Sequence, residues 1–92
     1  MAEFEAAFRK IIDHYGIQAQ KIKLMEELAE LIQATAKSPD GLITDSMVEE
    51  MVDVHIMLVQ FFEKFTPDQG KFAENMEAYK LRRQLMRMGE EE

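Results

Sequence analysis

Two short acidic stretches, "MEELAEL" at residues 25–31 and "EEMVD" at residues 49–53, carry the side chains best suited to chemistry. On a helix, residues three apart lie about 60° apart and their side chains are neighbours. Glu27 with Glu30 is one such pair, and Glu50 with Asp53 is another. A lone E-x-x-E on a helix is usually a solvated face. The second pair has different company, because nine of the twelve residues from Met51 to Phe62 are apolar, the exceptions being Asp53, His55 and Gln60. A carboxylate drawn into such surroundings is costly without a partner. Glu27 flanks the row Leu24, Leu28 and Leu31, and Glu50 projects between Val54, Met57 and Phe61, so both point toward a helical interior. If the two segments lie side by side, four acids surround one small volume and cannot all stay ionised unless some are protonated or a cation joins them. Hard carboxylate oxygens, without a single cysteine in the chain, favour Mg²⁺, with Mn²⁺ as a substitute. A di-iron carboxylate bundle calls for Glu-x-x-His ligands. His14 and His55 follow Ile11 and Val52 at that spacing, which excludes it.

The elements that must position these acids are helices. No segment alternates with period two for long, and the apolar spacing is helical throughout. The pattern predicts one all-α domain over residues 1–92, a four-helix bundle with residues 88–92 as a frayed acidic tail. A first helix is expected from about Ala2 to Tyr15, ended by Gly16, and a second from about Gln18 to Lys37, with Leu24, Leu28, Leu31, Ile32 and Thr35 on one side. "SPDG" breaks the chain at 38–41. The third helix opens at "TDSMVEE", with Asp45 or Ser46 as cap and Ser46 and Glu49 at capping-box spacing, and ends near Phe65. "TPDQG" starts a fourth, with Thr66 as cap, Pro67 in the first turn and Gln69 three beyond the cap, reaching about Met88. Helices joined by a short loop pack antiparallel, which lets the carboxylate pairs of the second and third meet.

Composition narrows the function. A net charge of −7 argues against a binder of nucleic acid polymers. No apolar run approaches the ~18 residues of a membrane span. "MAEFEAAFRK" is amphipathic and carries acid, unlike a signal peptide, so the expectation is a soluble, cytoplasmic protein. The charge is uneven: residues 21–63 set three lysines against nine acids, a net of −6, while residues 71–88 set five bases against two acids, a net of +3. A chain of 92 residues with so apolar a third helix also invites help from an oligomer.

"EELAE", then nineteen residues, then "EMVD" resembles the EExxE…ExxD signature of the MazG-like, all-α nucleoside triphosphate pyrophosphohydrolases. The likeness runs from "HYGIQAQ" before the first motif to "YKLRRQLMR" after the second. It implies Mg²⁺-dependent hydrolysis of an NTP or dNTP between the α and β phosphates, giving a nucleoside monophosphate and pyrophosphate. It implies Glu27, Glu30, Glu50 and Asp53 as metal ligands, Glu26 as a catalytic residue that supports them or orients water, and a homodimer or homotetramer with sites near subunit contacts.

A polyphosphate also needs cationic clamps. Lys80, Arg83 and Arg87 continue the stripe Phe72, Met76, Tyr79 on the last helix and fall within about 60° of arc, as phosphate ligands or as a basic turn complementing the helix dipole. Lys23 is a phosphate contact or an i,i+4 partner of Glu27, and Asn75 is a candidate for the base or ribose. His55 reads as a core or interface residue, and the eight methionines as adaptable packing. Two alternatives stay open: a phosphoribosyl-ATP pyrophosphohydrolase-like enzyme, and a catalytically idle helical interaction module. Intact acids at all four ligand positions count against the second.

Overall fold

The computed structural model describes Phe4 and residues 6–89. Four helices follow one another, α1 (Ala7–Tyr15), α2 (Ile17–Lys37), α3 (Asp45–Phe62) and α4 (Pro67–Arg87), and there is no strand among the described residues. The expected start of the first helix at Ala2 and most of the acidic tail, 90–92, lie outside the described residues. Among the described residues no helix is long and apolar enough to cross a membrane.

The breaks have local causes. Gly16 turns the chain between α1 and α2 at φ 92°, a conformation that favours glycine, and its N–H closes the last turn of α1 on the Ile12 carbonyl. Between α2 and α3, the Ser38 hydroxyl donates to the Ala34 carbonyl at 3.0 Å and pairs with the Thr44 hydroxyl at 2.9 Å. Thr44 caps α3 by accepting from the Met47 N–H at 3.2 Å. The cap is therefore Thr44 and not Asp45 or Ser46, which lie inside the helix. Thr44 wins because its backbone is extended, which aims the hydroxyl at the free N–H groups of the first turn. At α4 Thr66 is the cap, as expected, and here a capping box forms: Thr66 accepts from the Gln69 N–H at 3.1 Å, and the Gln69 side chain accepts from the Thr66 N–H at 2.9 Å.

The core is the antiparallel seam of α2 and α3. One end of it is the 38–44 connection; the other is closed by Gln20 donating to Gln60 at 2.8 Å. The inward row of α2 is Gln20, Leu24, Glu27, Leu31 and Ala34, and that of α3 is Met47, Glu50, Val54, Met57 and Gln60 or Phe61. Both rows alternate three and four residues, the spacing of a two-helix seam. The face of α2 is thus rotated from the expected Leu28, Ile32 and Thr35, all of which are exposed. Only one stripe of the apolar α3 is covered; Val48, Met51, Val52, Ile56, Leu58 and Phe62 remain exposed.

α1 lies across this pair and buries Ile12 almost completely, at 1% exposure. Its polar side is fastened to the end of α3: Arg9 donates to the Glu63 carbonyl, and Lys64 donates to Asp13 at 2.8 Å. α4 behaves differently. It has no buried residue, so the packed unit is α1–α3 with α4 carried on its end. The radius of gyration is 16.2 Å, against roughly 12 Å for a compact domain of this length. The accessible surface is 7606 Å², against roughly 5,500 Å² for a folded monomer of this mass.

Candidate metal centre

The seam rows explain where the acids go. Glu27 sits seven residues after Gln20 and seven before Ala34, so it shares their inward face and is buried. Glu50 precedes Val54 and Met57 on the inward face of α3, and Asp53 lies beside it, both half-buried. One carboxylate oxygen from each of Glu27, Glu50 and Asp53 lies within 4.8 Å of the others. Two consecutive helices thus place three carboxyl groups around one point.

The electrostatics of the point are unbalanced. Burial is the largest cause pushing the Glu27 carboxyl above its ordinary value. Glu30 adds to it by hydrogen bonding and by charge repulsion, and Asp53 by repulsion, while Lys23 pulls the other way. Among the described residues Lys23 is the one cation paired with these acids, 3.7 Å from Glu27 and 3.9 Å from Glu26, on the exposed side of α2. Glu50 Oε2 is enclosed and accepts no hydrogen bond, the one such side-chain oxygen or nitrogen among the described residues. A buried carboxylate oxygen without a donor is costly unless something absent from the polypeptide satisfies it. An all-oxygen donor set with excess negative charge and an orphaned lone pair fits a hard divalent cation.

Of the acids picked out in the sequence, Glu27, Glu50 and Asp53 come together. Glu30 is exposed at the edge of this group and touches it through Glu27. Glu26 is exposed and paired with Lys23, which also makes the expected i,i+4 contact with Glu27. On α4, Asn75, Lys80, Arg83 and Arg87 are all exposed. The Arg83 guanidinium lies over the Tyr79 ring at 5.5 Å, and no ion pair joins Lys80, Arg83 or Arg87 to the carboxylates. His55 is exposed beside Ile43, Val48, Met51 and Val52, outside the acidic group.

Gln20 and Gln60 were not picked out as a site, yet they form the only buried side-chain pair of neutral polar groups among the described residues. A signal for them exists in the sequence. Gln60 interrupts an apolar run seven residues after Asp53, and Gln20 precedes Glu27 by the same interval. That spacing puts each amide on the helix face that carries the acid. Comparison with protein-family models, with curated proteins and with solved structures finds no match to this chain.

Proposed function

We propose that the protein is a divalent-metal-dependent nucleoside triphosphate pyrophosphohydrolase, converting an NTP or dNTP and water into a nucleoside monophosphate and pyrophosphate. The observation that carries this reading is the meeting of Glu27, Glu50 and Asp53 across the α2–α3 seam, with Glu50 Oε2 enclosed and unsatisfied. The two motifs that supply these acids are those that resemble the MazG-like enzymes.

Glu27, Glu50 and Asp53, joined from the edge by Glu30, would hold Mg²⁺ or Mn²⁺. Such an ion, when bound, neutralises a polyphosphate beside the carboxylates and lowers the pKa of water. The chain's own groups supply the remainder. Glu26, exposed one residue before Glu27, would orient water at the edge of the group. Lys23, within 4 Å of both Glu26 and Glu27, offers a cation to a phosphate oxygen. Lys80, Arg83 and Arg87 provide further clamping charge, and Asn75 a polar contact for the nucleoside.

Self-association belongs to the same reading. The surface exceeds that of a compact monomer by roughly 2,000 Å², and a standard interface buries about 800 Å² per partner. The uncovered apolar residues of α3 and α4 supply material for a homodimer or homotetramer, in which the basic end of α4 (net +3) is drawn to the acidic α2–α3 region (net −6). A cytoplasmic location fits an enzyme acting on free nucleotides.

The test is incubation of the protein with Mg²⁺ and a panel of canonical and modified nucleotides, with products separated by chromatography. Monophosphate plus pyrophosphate is expected, with loss of turnover in Glu50→Gln. Diphosphate plus phosphate would overturn the bond assignment, and no turnover of any nucleotide would overturn the enzymatic reading.

A further inference from the structure

Beside the carboxylates lies a groove of about 510 Å³, bounded by α1, α2 and α3. Pockets of roughly 300–1,000 Å³ accommodate small ligands. Its walls are apolar: Ile11, Ile22 and Ile56. Tyr15 stands exposed at its lip. Its rim toward the acidic group is Lys23 and Glu26. Lys23 links the groove to the acidic group, lying 3.7 Å from Glu27.

Gln20 and Gln60 also line this groove, and they are 6% and 1% exposed. Their hydrogen bonding is incomplete. Gln20 Nε2 donates to Gln60 Oε1 at 2.8 Å, and Gln60 Nε2 meets only the Met57 sulfur, at 3.6 Å. A thioether is a weak acceptor. Gln20 Oε1 accepts no hydrogen bond from the described residues, and Gln20 lines the groove. Two amides at a helix seam, where leucine would pack without penalty, leave one acceptor on Gln20 and donor capacity on Gln60 unmatched among the side chains that line an apolar slot. A planar heteroaromatic ring with adjacent donor and acceptor atoms satisfies both, while its faces meet isoleucine walls and the Tyr15 ring.

We propose that this groove is a nucleobase subsite in which Gln20 and Gln60 read the hydrogen-bonding edge of the ring. The proposal rests on the pyrophosphohydrolase reading for the placement of the phosphates, toward Lys23 and the acids. It makes the amide pair the determinant of base preference, because a site built to hydrogen-bond a ring edge disfavours rings that leave its amides unpaired.

The test separates the two readings by using probes that lack either phosphate or base. The ¹⁵N-labelled protein is titrated with adenosine, guanosine, cytidine, uridine and thymidine without metal, and the side-chain amide signals of Gln20 and Gln60 are followed. At least one nucleoside is expected to move both signals, and Gln20→Leu to weaken its binding by about tenfold with the rest of the spectrum preserved. Gln20→Glu provides a second variant that keeps the side-chain length and is expected to change which nucleoside binds best. In parallel, Mg²⁺ with inorganic tripolyphosphate is titrated, following Glu27, Glu50 and Asp53. If tripolyphosphate acts on the acids and no nucleoside moves the amides, the subsite is overturned and the phosphate reading stands. If nucleosides move the amides but tripolyphosphate has no effect, the subsite stands and the catalytic reading falls.

Discussion

Replacing Glu50 by glutamine should make the metal-free protein more stable while removing its response to metal. Three carboxylate oxygens lie within 4.8 Å of one another. At an effective dielectric constant near 20, each fully ionised pair at that separation repels by roughly 3 kcal/mol. Three such pairs would rival the entire stability of a small domain, about 5–15 kcal/mol, so protonation must relieve part of the repulsion. Glu50→Gln removes two of the three repulsions and gives the enclosed Oε2 position an N–H₂ that donates to Glu27 or Asp53. Allowing for that relief, the gain at pH 7 should be about 1–2 kcal/mol, which raises the melting temperature of a domain this size by roughly 5–15 °C. Mg²⁺ at one hundred times its dissociation constant should stabilise the wild type by about 2.7 kcal/mol and the variant hardly at all. The order of the two melting curves therefore reverses on adding metal. The assay is thermal unfolding by circular dichroism at fixed protein concentration, with EDTA and with Mg²⁺. A pH series adds a second reading. The Glu27 carboxyl titrates above its ordinary 4.5, so the native state holds a proton that the unfolded chain releases. Stability of the metal-free wild type should then fall as pH rises from 4.5 through the raised value, with a shallower fall in Glu30→Gln, because Glu30 raises the Glu27 carboxyl by hydrogen bonding and repulsion. A variant that is less stable than wild type in EDTA, with neither protein responding to Mg²⁺, would refute the view of this group as a strained cation site.

Other expected outcomes follow from the packing. Ile12→Ala, at the best-buried apolar position, should cost about 2–5 kcal/mol, read as a lower urea midpoint, and Ile12→Val about 1 kcal/mol. Thr66→Ala should cost α4 about 1 kcal/mol of local stability. Because α4 buries no residue, this loss should appear as faster amide exchange within α4, with the unfolding midpoint of α1–α3 unchanged. The Lys64 ammonium holds the Asp13 carboxyl below its ordinary value of 3.8, so the contact stabilises the fold above that pH and is lost as pH falls through the lowered value. Lys64→Met should return Asp13 to the ordinary range in a carboxyl ¹³C titration and flatten the acid limb of the stability curve.

The sequence alone determined the helices and the places of the acids along them. Helical spacing, Gly16, "SPDG" and "TPDQG" are local signals, and backbone geometry acts on them within a few residues. The choice of Thr44 over Asp45 or Ser46 as cap was not legible, since all three residue types suit the position and only the backbone conformation distinguishes them. Nor was the inward row of α2, where Leu28 and Ile32 are as apolar as Leu24 and Leu31 but face out. A helix with apolar residues on two sides does not state which side its neighbour takes; the approach of α3 decides that. Tertiary structure alone put Glu27 within reach of Glu50 and Asp53, withheld a hydrogen-bond partner from Glu50 Oε2 and closed Gln20 onto Gln60. It also left α4 without a buried residue. These are relations between segments twenty to forty residues apart, fixed by how two surfaces interlock, and no local pattern along one chain encodes that distance.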